Sequence, residues 1–290
     1  MPESEFYADM HLHTVASDGE LTPEELVDRA VEAGLSAIAV TDHDTVGSVE
    51  AASAYGKTVG VEIVPGCELT MYEDNIELHL LALFIDIAPD SAFQKFLQQM
   101  QQHRRFRALS MIAKLKSANV QIEESDVIEA AGSADSIGRP HIADALVKRG
   151  YATSPYDAMN RYLQHGRPGY VPKHRLTPET AFAVIRAAGG LSILAHPGRS
   201  PHDELIVPLF HRGMDGIEAL YRSHSPVLRK YYSGLARRHE RAISGGSDFH
   251  GPMLTPDISV GDAGVDRYLF STLKTEADRR KVGRPMAGRV

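Results

Sequence analysis

The stretch ADMHLHTVASDGELTPEEL, residues 8–26, contains the pattern from which the fold is predicted. An apolar run carries His11 and His13 two positions apart, Asp18 follows, and Thr22 with Glu25 forms the capping box of a helix. Because side chains alternate along a strand, both imidazoles should point to the same side. The stretch therefore predicts a strand that delivers polar side chains at its end and is followed by a helix.

Short apolar runs alternate with helical patterns along the rest of the chain. After a first strand at residues 5–10, similar runs lie at 36–41, 61–65, 77–85, 191–196, 215–220 and 241–246. Helical patterns between them lie at 47–57, 177–190, 203–213 and 226–240. Strands that are nearly all apolar and alternate with helices predict an α/β fold with a parallel sheet. At this length a closed or nearly closed barrel is expected.

A long helical interruption separates the fourth strand from the fifth. It runs from about Ala88 to Leu176, opens with an apolar stripe between Phe93 and Leu115, and continues with helical stretches at 139–150 and 154–166. We expect residues 1–87 and 177–290 to form a discontinuous barrel domain. Residues 88–176 should form a small helical insertion that covers the active site. The segment from Thr275 onward is basic and has no apolar period, so we expect it to be partly loose.

Composition limits the class of protein. The chain has 290 residues, 43% of them hydrophobic, and a single cysteine, Cys67, so an internal disulfide and a Cys-based zinc site are excluded. No signal peptide and no membrane span are predicted, so a cytoplasmic protein without a membrane partner is expected. The net charge of −7 argues against stable binding to duplex nucleic acid. Within this acidic chain, residues 137–175 carry seven Lys or Arg and two acids, which by composition alone indicates a solvated basic face.

Polar side chains with metal-ligand chemistry lie in or after most predicted strands. In chain order they are His11, His13, Asp18, His43, Glu68, His79, His196, Asp248 and His250. The carboxyl ends of parallel barrel strands lie on one face, so these groups should converge. Imidazole and carboxylate without thiolate suit Zn²⁺, Mn²⁺ or Fe²⁺. Nine donors exceed one tetrahedral site and indicate two or three ions with bridging ligands.

The motifs HLHTVASDG, TDHDT, PGCELT, ELHLL, AHPG and GGSDFHG resemble the successive motifs of the PHP (polymerase and histidinol phosphatase) family, over roughly residues 6–86 and 177–260. The resemblance implies a distorted (β/α)7 barrel with a trinuclear metal centre, manganese being the expected metal and zinc or iron the alternatives. By motif, the first ion is assigned to His11, His13, Glu68 and Asp248. The second is assigned to Glu68, His79 and His196, and the third to Asp18, His43 and His250.

Such a centre predicts a reaction class. Adjacent divalent ions lower the pKa of a bridging water and hold the oxygens of an in-line displacement at phosphorus. Hydrolysis of a phosphate ester by a metal-bound hydroxide is therefore expected, and no nucleophilic Ser or Cys is required. Amide hydrolysis at such a centre remains an alternative, and no general acid is identified.

Cationic side chains around the expected centre indicate the substrate. The candidates are Arg139, His141, Arg167, Lys173, Arg199, Arg222 and His224, of which half or more should be surface charges. We select Arg139, His141 and Lys173 from the insertion and Arg199 and His224 from the barrel loops. The GRPHIA segment resembles a PHP subgroup that acts on nucleoside 3′,5′-bisphosphates and, in some members, on short RNA from the 5′ end. The resemblance implies removal of the 3′-phosphate from a nucleotide that also carries a 5′-phosphate.

Three alternatives stay open. A histidinol-phosphate phosphatase would use the same centre, although its cationic substrate fits a basic segment poorly. A 5′-3′ exoribonuclease on short RNA would need an open groove and stacking aromatics, for which Tyr170, Tyr221 and Phe249 are candidates. A metal-stabilised binding module is the alternative outside enzymes, and the complete donor set argues against it.

Overall fold

The computed structural model describes residues 6–132, 134–199 and 202–282. Its strands form one curled sheet of seven, in which the spatial order follows the chain order. The strands are β1 Ala8–Leu12, β2 Ala37–Val40, β3 Glu62–Glu73, β4 Ile76–Leu83, β5 Leu191–Leu194, β6 Gly216–Glu218 and β7 Ala242–Ser244. The expected mixed α/β fold with seven strands is confirmed for the described part of the chain.

Helices connect most of these strands. They are α1 Pro23–Glu32, α2 Val49–Val59, α3 Ala92–Ser117, α4 Glu124–Ala131, α5 Arg139–Lys148, α6 Pro155–Ala158, α7 Pro178–Ala187, α8 Ile206–His211, α9 Pro226–Arg238 and α10 Arg267–Val282. A π-helical turn, Met159–Leu163, continues α6, and 3-10 turns lie at Pro197–Arg199 and Asp203–Leu205. In α1 the predicted capping box is present, with Thr22 and Glu25 each bonded to the other's backbone N–H. The segment from Thr275, expected to be partly loose, is helical as far as Val282, and residues 283–290 lie outside the described residues.

The all-parallel sheet expected from the sequence is wrong at β4, which runs antiparallel to both β3 and β5. A two-residue turn, Asp74–Asn75, joins β3 to β4 and is too short for a parallel crossover. Asp74 takes the turn with φ 52°, a backbone conformation that Asp tolerates better than most residues. The first half of β4, rather than its end, therefore faces the site.

The expected end of the third strand at Pro65 is also wrong. Residues 62–65 pair in parallel with β2, and from Gly66 the same strand pairs with β4. Gly66 permits this change of partner, because a Cβ there would lie 2.9 Å from the carbonyl oxygen of Val40 and 3.2 Å from that of Ala82. Glu68 consequently lies in the middle of a long strand instead of in a loop.

The segment after β7 returns to β1. The N–H of Met10 donates to the carbonyl of Gly245 at 3.1 Å, and the N–H of Asp248 donates to that of His11 at 2.9 Å. Gly246 lies between them, and a Cβ at this position would lie 2.5 Å from the Cβ of His11. This close approach brings the GGSD segment beside the first histidines.

Three apolar clusters stabilise the described structure. One lies between the sheet and α1, α2, α7, α8 and α9, and a second joins the sheet to Phe270, Leu273 and Ala277 of α10. The third is confined to residues 108–163 and packs the second half of α3 against α5. The first half of α3, with Phe93 and Leu97, packs in the first cluster. The helix thus spans two cores.

We expect Gly246→Ala to destabilise the protein by about 1–3 kcal/mol, because the added methyl group overpacks the contact with His11. Gly234→Ala is the matched control. Its Cβ would meet nothing within 4 Å in α9, so it should stabilise by about 0.5–1 kcal/mol. Urea unfolding at equal metal content measures both. Equal unfolding midpoints for Gly246→Ala and the wild type would contradict the close approach.

Candidate metal centre

All nine predicted donors converge at one end of the sheet, in three groups whose ligand atoms lie within 4.8 Å of one another. Cluster 1 contains His11, His13, Glu68 and Asp248. Cluster 2 contains Glu68, His79 and His196. Cluster 3 contains His13, Asp18, His43 and His250. Their assignment as metal ligands stays a prediction that this geometry supports.

Cluster 1 is fully enclosed. His11 Nε2 lies 3.3 Å from Glu68 Oε2 and 3.3 Å from Asp248 Oδ1. His13 Nε2 lies 3.2 Å from the same Glu68 oxygen and 3.4 Å from the same Asp248 oxygen. Two imidazole nitrogens and two carboxylate oxygens thus face one point.

Glu68 joins two clusters through its two oxygens. Oε2 faces cluster 1, whereas Oε1 lies 2.8 Å from His79 Nδ1 and 3.3 Å from His196 Nε2. This is the geometry of a bridging carboxylate, as the resemblance implied for this residue. The arrangement requires β3 to continue past Pro65, because only then does Glu68 pass between β2 and β4.

His13 also faces two clusters, which the sequence analysis did not foresee. Its Nε2 points into cluster 1, whereas its Nδ1 lies 3.8 Å from Asp18 Oδ1 in cluster 3. Asp18 lies 3.8 Å from His43 Nε2 and 3.6 Å from His250 Nε2. The orientation of one ring decides this role, and a sequence motif carries no signal for ring orientation.

The chemistry of the donor atoms fits divalent metal ions. Five buried ring nitrogens or oxygens here make no hydrogen bond: His11 Nε2, both ring nitrogens of His13, His43 Nδ1 and Asp18 Oδ1. Buried polar atoms are normally paired, because an unpaired one loses its hydration without replacement. One nitrogen of the neutral His13 ring carries a proton, and divalent cations that imidazole and carboxylate can bind would satisfy the lone pairs of the other atoms.

Electrostatics favour a cation as well. Burial alone would raise the pKa of Glu68, but His43, His11 and His79 hold it well below its usual range. Burial would lower the pKa of His13, but its contacts with Asp248 and Glu68 raise that pKa to about 10. The carboxylates are therefore ionised, and they attract positive charge to the centre.

Two of the donors adopt left-handed backbone conformations. His196 has φ 28° and Asp248 has φ 58°, and neither is a glycine. Such conformations cost roughly 1–3 kcal/mol each and persist only where the surroundings enforce them. Here they turn both side chains from the strand ends toward the clusters.

Glu218 of β6 supports the donors from behind and was missed in the sequence. Its Oε1 accepts a hydrogen bond from His11 Nδ1 at 3.0 Å, and its Oε2 accepts one from the backbone N–H of His196 at 2.6 Å. It is fully buried. An acid within an apolar strand, as in DGIEAL, was the available signal. Glu218 fixes the tautomer of His11, so that Nε2 faces cluster 1.

We expect Glu218→Gln to weaken metal binding about 10- to 100-fold, because a neutral amide orients His11 less firmly. Competition with a chelator of known affinity measures the change. Glu204→Gln, an exposed acid paired with His202, is the control and should bind metal as the wild type does. Unchanged affinity in Glu218→Gln would refute the supporting role.

The residues predicted to contact the substrate lie in different surroundings, and only some of them reach the metal centre. Arg199 reaches the centre, where its Nη1 donates to Asp248 Oδ2 at 2.9 Å beside the hydroxyl of Tyr221. His141 is buried near Asp18, and its Nδ1 accepts from the N–H of Gly138. His224 is buried, with Nδ1 donating to the carbonyl of Ala219 and Nε2 accepting from the N–H of Gly198. In this conformation its ring holds two loops together.

The other four predicted cations, Lys173, Arg139, Arg222 and Arg167, also differ in their partners and exposure. Lys173 is paired with Glu77 at 2.5 Å. Arg139 has no hydrogen-bond or ion-pair partner among the described residues. Arg222 bonds to Asp262 and to the backbone of Asp257. Arg167 is exposed.

Two arginines of α3, Arg104 and Arg107, lie near Arg139 and Lys173 and were not selected from the sequence. The cations of that helix looked like a solvated polar face. Arg104 is paired with Asp44. Arg107 lies one turn later, and its Nε donates to the carbonyl of Val171 at 2.8 Å. Burial, with Arg139 and Arg104 adding repulsion, lowers the pKa of Arg107 to about 10. Glu77 also attracts Arg107 but is itself paired with Lys173. Arg107 and Arg139 thus form a basic site, together with Lys173 beside them, in which neither arginine has an ion-pair partner of its own among the described residues.

Comparison with known proteins supports these observations. The PHP domain family matches residues 9–159. The 5′-3′ exoribonuclease Rnm of Salmonella typhimurium is 38% identical over 261 residues, which cover 87% of each chain. The 3′,5′-nucleoside bisphosphate phosphatase of Chromobacterium violaceum is 33% identical over 249 residues, covering 84% of this chain and 87% of the relative. A solved structure from Bifidobacterium adolescentis, proposed to be a metal-dependent phosphoesterase, matches with a TM-score of 0.84 at 28% identity and covers 99% of this chain and 100% of its own. Within the described residues, every helix is too short or too polar to cross a membrane.

Proposed function

The chain belongs to the PHP family and is a metal-dependent phosphoesterase, and from this premise we propose that it removes the 3′-phosphate from nucleoside 3′,5′-bisphosphates. The products are a nucleoside 5′-phosphate and inorganic phosphate. The observation that carries the proposal is that Arg107 and Arg139, neither of which has an ion-pair partner among the described residues, lie next to three clusters of side chains able to bind metal.

The clusters account for the reacting phosphate. When bound, divalent ions supply an activated water and neutralise charge on the phosphoryl oxygens. The chain holds the donors in fixed orientations through Glu218 and through the left-handed backbone at His196 and Asp248. Arg199 is paired with Asp248 at the edge of the centre, where its exposed guanidinium can also contact a phosphoryl oxygen.

The basic site accounts for a second phosphate. Arg104 and Lys173 are neutralised by Asp44 and Glu77 respectively. Arg107 and Arg139 are partly buried and have no ion-pair partner of their own among the described residues, and two neighbouring cations repel each other. A phosphate dianion would satisfy both, with the planar guanidinium groups matching its oxygens.

A second candidate is 5′-3′ exoribonuclease activity on short RNA. The observation that favours it is the exoribonuclease of Salmonella typhimurium, at 38% identity over most of both chains. A 5′-phosphate would occupy the same basic site in both reactions. The two activities differ in whether the group attached to the reacting phosphate is a proton or the rest of an RNA chain.

We also propose that the nine donors hold two to three divalent ions, with manganese as the expected metal. The hydrogen bonds from β1 to the segment after β7 support a distorted (β/α)7 barrel, and the separate core at residues 108–163 supports a helical insertion over residues 88–176. A cytoplasmic location remains part of the proposal.

A substrate panel tests the function. Phosphate release from adenosine 3′,5′-bisphosphate and from its two monophosphates is compared with nucleotide release from a short 5′-phosphorylated RNA. We expect the highest kcat/KM on the bisphosphate and slow release from either monophosphate. A preference for the RNA, with mononucleotides released stepwise, would replace the proposal by the second candidate. Equal turnover of all substrates would contradict a second-phosphate site.

A further inference from the structure

A cavity of 280 Å³ adjoins cluster 2, with His79 and His196 in its wall. Its remaining wall is largely apolar, formed by Leu78, Leu194, Pro197, Leu205, Ile206 and Leu209. A few polar side chains, among them Glu77, Arg199 and Asp203, lie at its edge. An apolar recess with a few polar groups at its rim is the usual form of a site for a small organic group.

Resting on the proposed function, we infer that this cavity, the nucleoside pocket, receives the nucleobase of the substrate. A nucleobase is planar and largely apolar on its faces, so it gains from burial against Leu78 and Leu205. The base, the 3′-phosphate and the 5′-phosphate are attached to one ribose. The three sites that bind them must therefore be adjacent.

The described residues meet this requirement through Glu77. Its side chain lines the nucleoside pocket and is paired with Lys173, which lies beside Arg107 in a neighbouring recess. His79 belongs both to cluster 2 and to the wall of the nucleoside pocket. The metal-ligand side chains, the basic site and the apolar cavity are therefore contiguous.

A second groove adjoins the centre at Asp18 and is the competing location. Its volume is 520 Å³, and Met253 and Leu254 contribute exposed apolar surface. Its charged lining consists of Asp18, Glu20 and Asp144, without a Lys or Arg among the lining residues described. The nucleoside pocket also has two carboxylates, Glu77 and Asp203, but Arg199 lies in its lining and Lys173 is paired with Glu77. Because Glu20 and Asp144 have no such cation beside them among the groove's described lining residues, the nucleoside pocket is the better location for part of a substrate with two phosphates.

Polar groups at the rim can contact the edge of a base. Asp203 accepts a hydrogen bond from the hydroxyl of Tyr232 at 2.9 Å through one oxygen, which leaves the other as an acceptor. His202 Nδ1 lies 3.2 Å from Glu204 Oε1, which leaves the Nε2 atom of this ring for a contact with the base. An acceptor beside an apolar recess suits the exocyclic amino group of a base.

The test compares two substrates that differ only in the base. Adenosine 3′,5′-bisphosphate carries the base. The base-free substrate, 1,4-anhydroribitol 3,5-bisphosphate, has the sugar ring and both phosphates but no base. Burial of the base should raise kcat/KM of the wild type about 10- to 100-fold. Leu205→Trp fills the nucleoside pocket and should abolish this advantage while leaving the base-free substrate unaffected. Leu254→Trp, the matched control in the competing groove, should retain it.

Each outcome decides the inference. Loss of the advantage in Leu254→Trp but not in Leu205→Trp would overturn it, as would a wild type that turns over both substrates equally. If Leu205→Trp binds less metal than the wild type, the smaller Leu205→Phe replaces it. If no bisphosphate is turned over, the proposed function fails, and calorimetric binding of adenosine 5′-monophosphate then tests the pocket alone. Binding that Leu205→Trp weakens supports the pocket, and binding that it leaves unchanged, or no binding to the wild type, overturns it.

Discussion

His13→Ala is expected to lower kcat on a nucleoside 3′,5′-bisphosphate at least about 1,000-fold, because bound metal ions contribute several kcal/mol to the transition state. The loss should exceed that of any other single imidazole. His13 presents Nε2 to Glu68 and Asp248 and Nδ1 to Asp18. Because a neutral imidazole has one free lone pair, the substitution removes a metal donor from cluster 1 and also the N–H that faces Asp18 of cluster 3. Phosphate release and elemental analysis of the same preparation measure turnover and metal content together.

The control for this variant is His211→Ala, which removes an exposed imidazole at the end of α8. It should retain turnover within about twofold, since surface substitutions rarely alter more than local stability. His13→Ala with near-normal turnover, or with the full metal content of the wild type, would contradict the shared role of this ring.

Arg139→Ala is expected to lower kcat/KM on the 3′,5′-bisphosphate about 10- to 150-fold, because a charge-assisted contact with phosphate contributes about 1.5–3 kcal/mol. The same change should hardly affect a nucleoside 3′-monophosphate, where the contact is never made. Four values of kcat/KM, for two enzymes and two substrates, give the result. The remote contact can appear in kcat as well as in KM, because it orients the reacting phosphate.

Arg161→Ala provides the matched control, since this arginine lies in the same helical region but is paired with Asp157. It should leave both substrates unchanged. Equal losses on both substrates in Arg139→Ala would show that Arg139 acts on the reacting phosphate or on the site as a whole. No loss on either would make it one of the surface charges that composition alone suggests.

The convergence of the expected donors could be predicted from the sequence because most of them lie in or shortly after a short apolar strand, and the carboxyl ends of parallel strands share one face of a curled sheet. His43, His196 and Asp248 illustrate this, since each lies a few residues after β2, β5 or β7. Glu68 and His79 do not, because they lie within β3 and β4. The direction of β4 was predicted wrongly, although the two-residue spacing between Glu73 and Ile76 was a usable hairpin signal.

Other features depend on three-dimensional packing, and their sequence signals are weak or absent. The two-sided contact of His13 is set by ring orientation between β1 and the loop at Asp18. Glu218 leaves a weak signal as an acid within the apolar run DGIEAL, whereas Arg107 looks like an ordinary cation on a polar helix. Only the folded chain shows that Glu218 is fully buried against His11 and that Arg107 lies beside Arg139 without an ion-pair partner of its own.

The most direct test of the metal-dependent reaction is a titration of chelator-treated protein with Mn²⁺, in which bound metal and phosphate release from adenosine 3′,5′-bisphosphate are measured on the same samples. We predict that two to three ions bind per chain and that turnover, absent at the start, rises as they bind. Fewer than two bound ions at saturation, or full turnover in the chelated protein, would contradict the assignment of the three clusters.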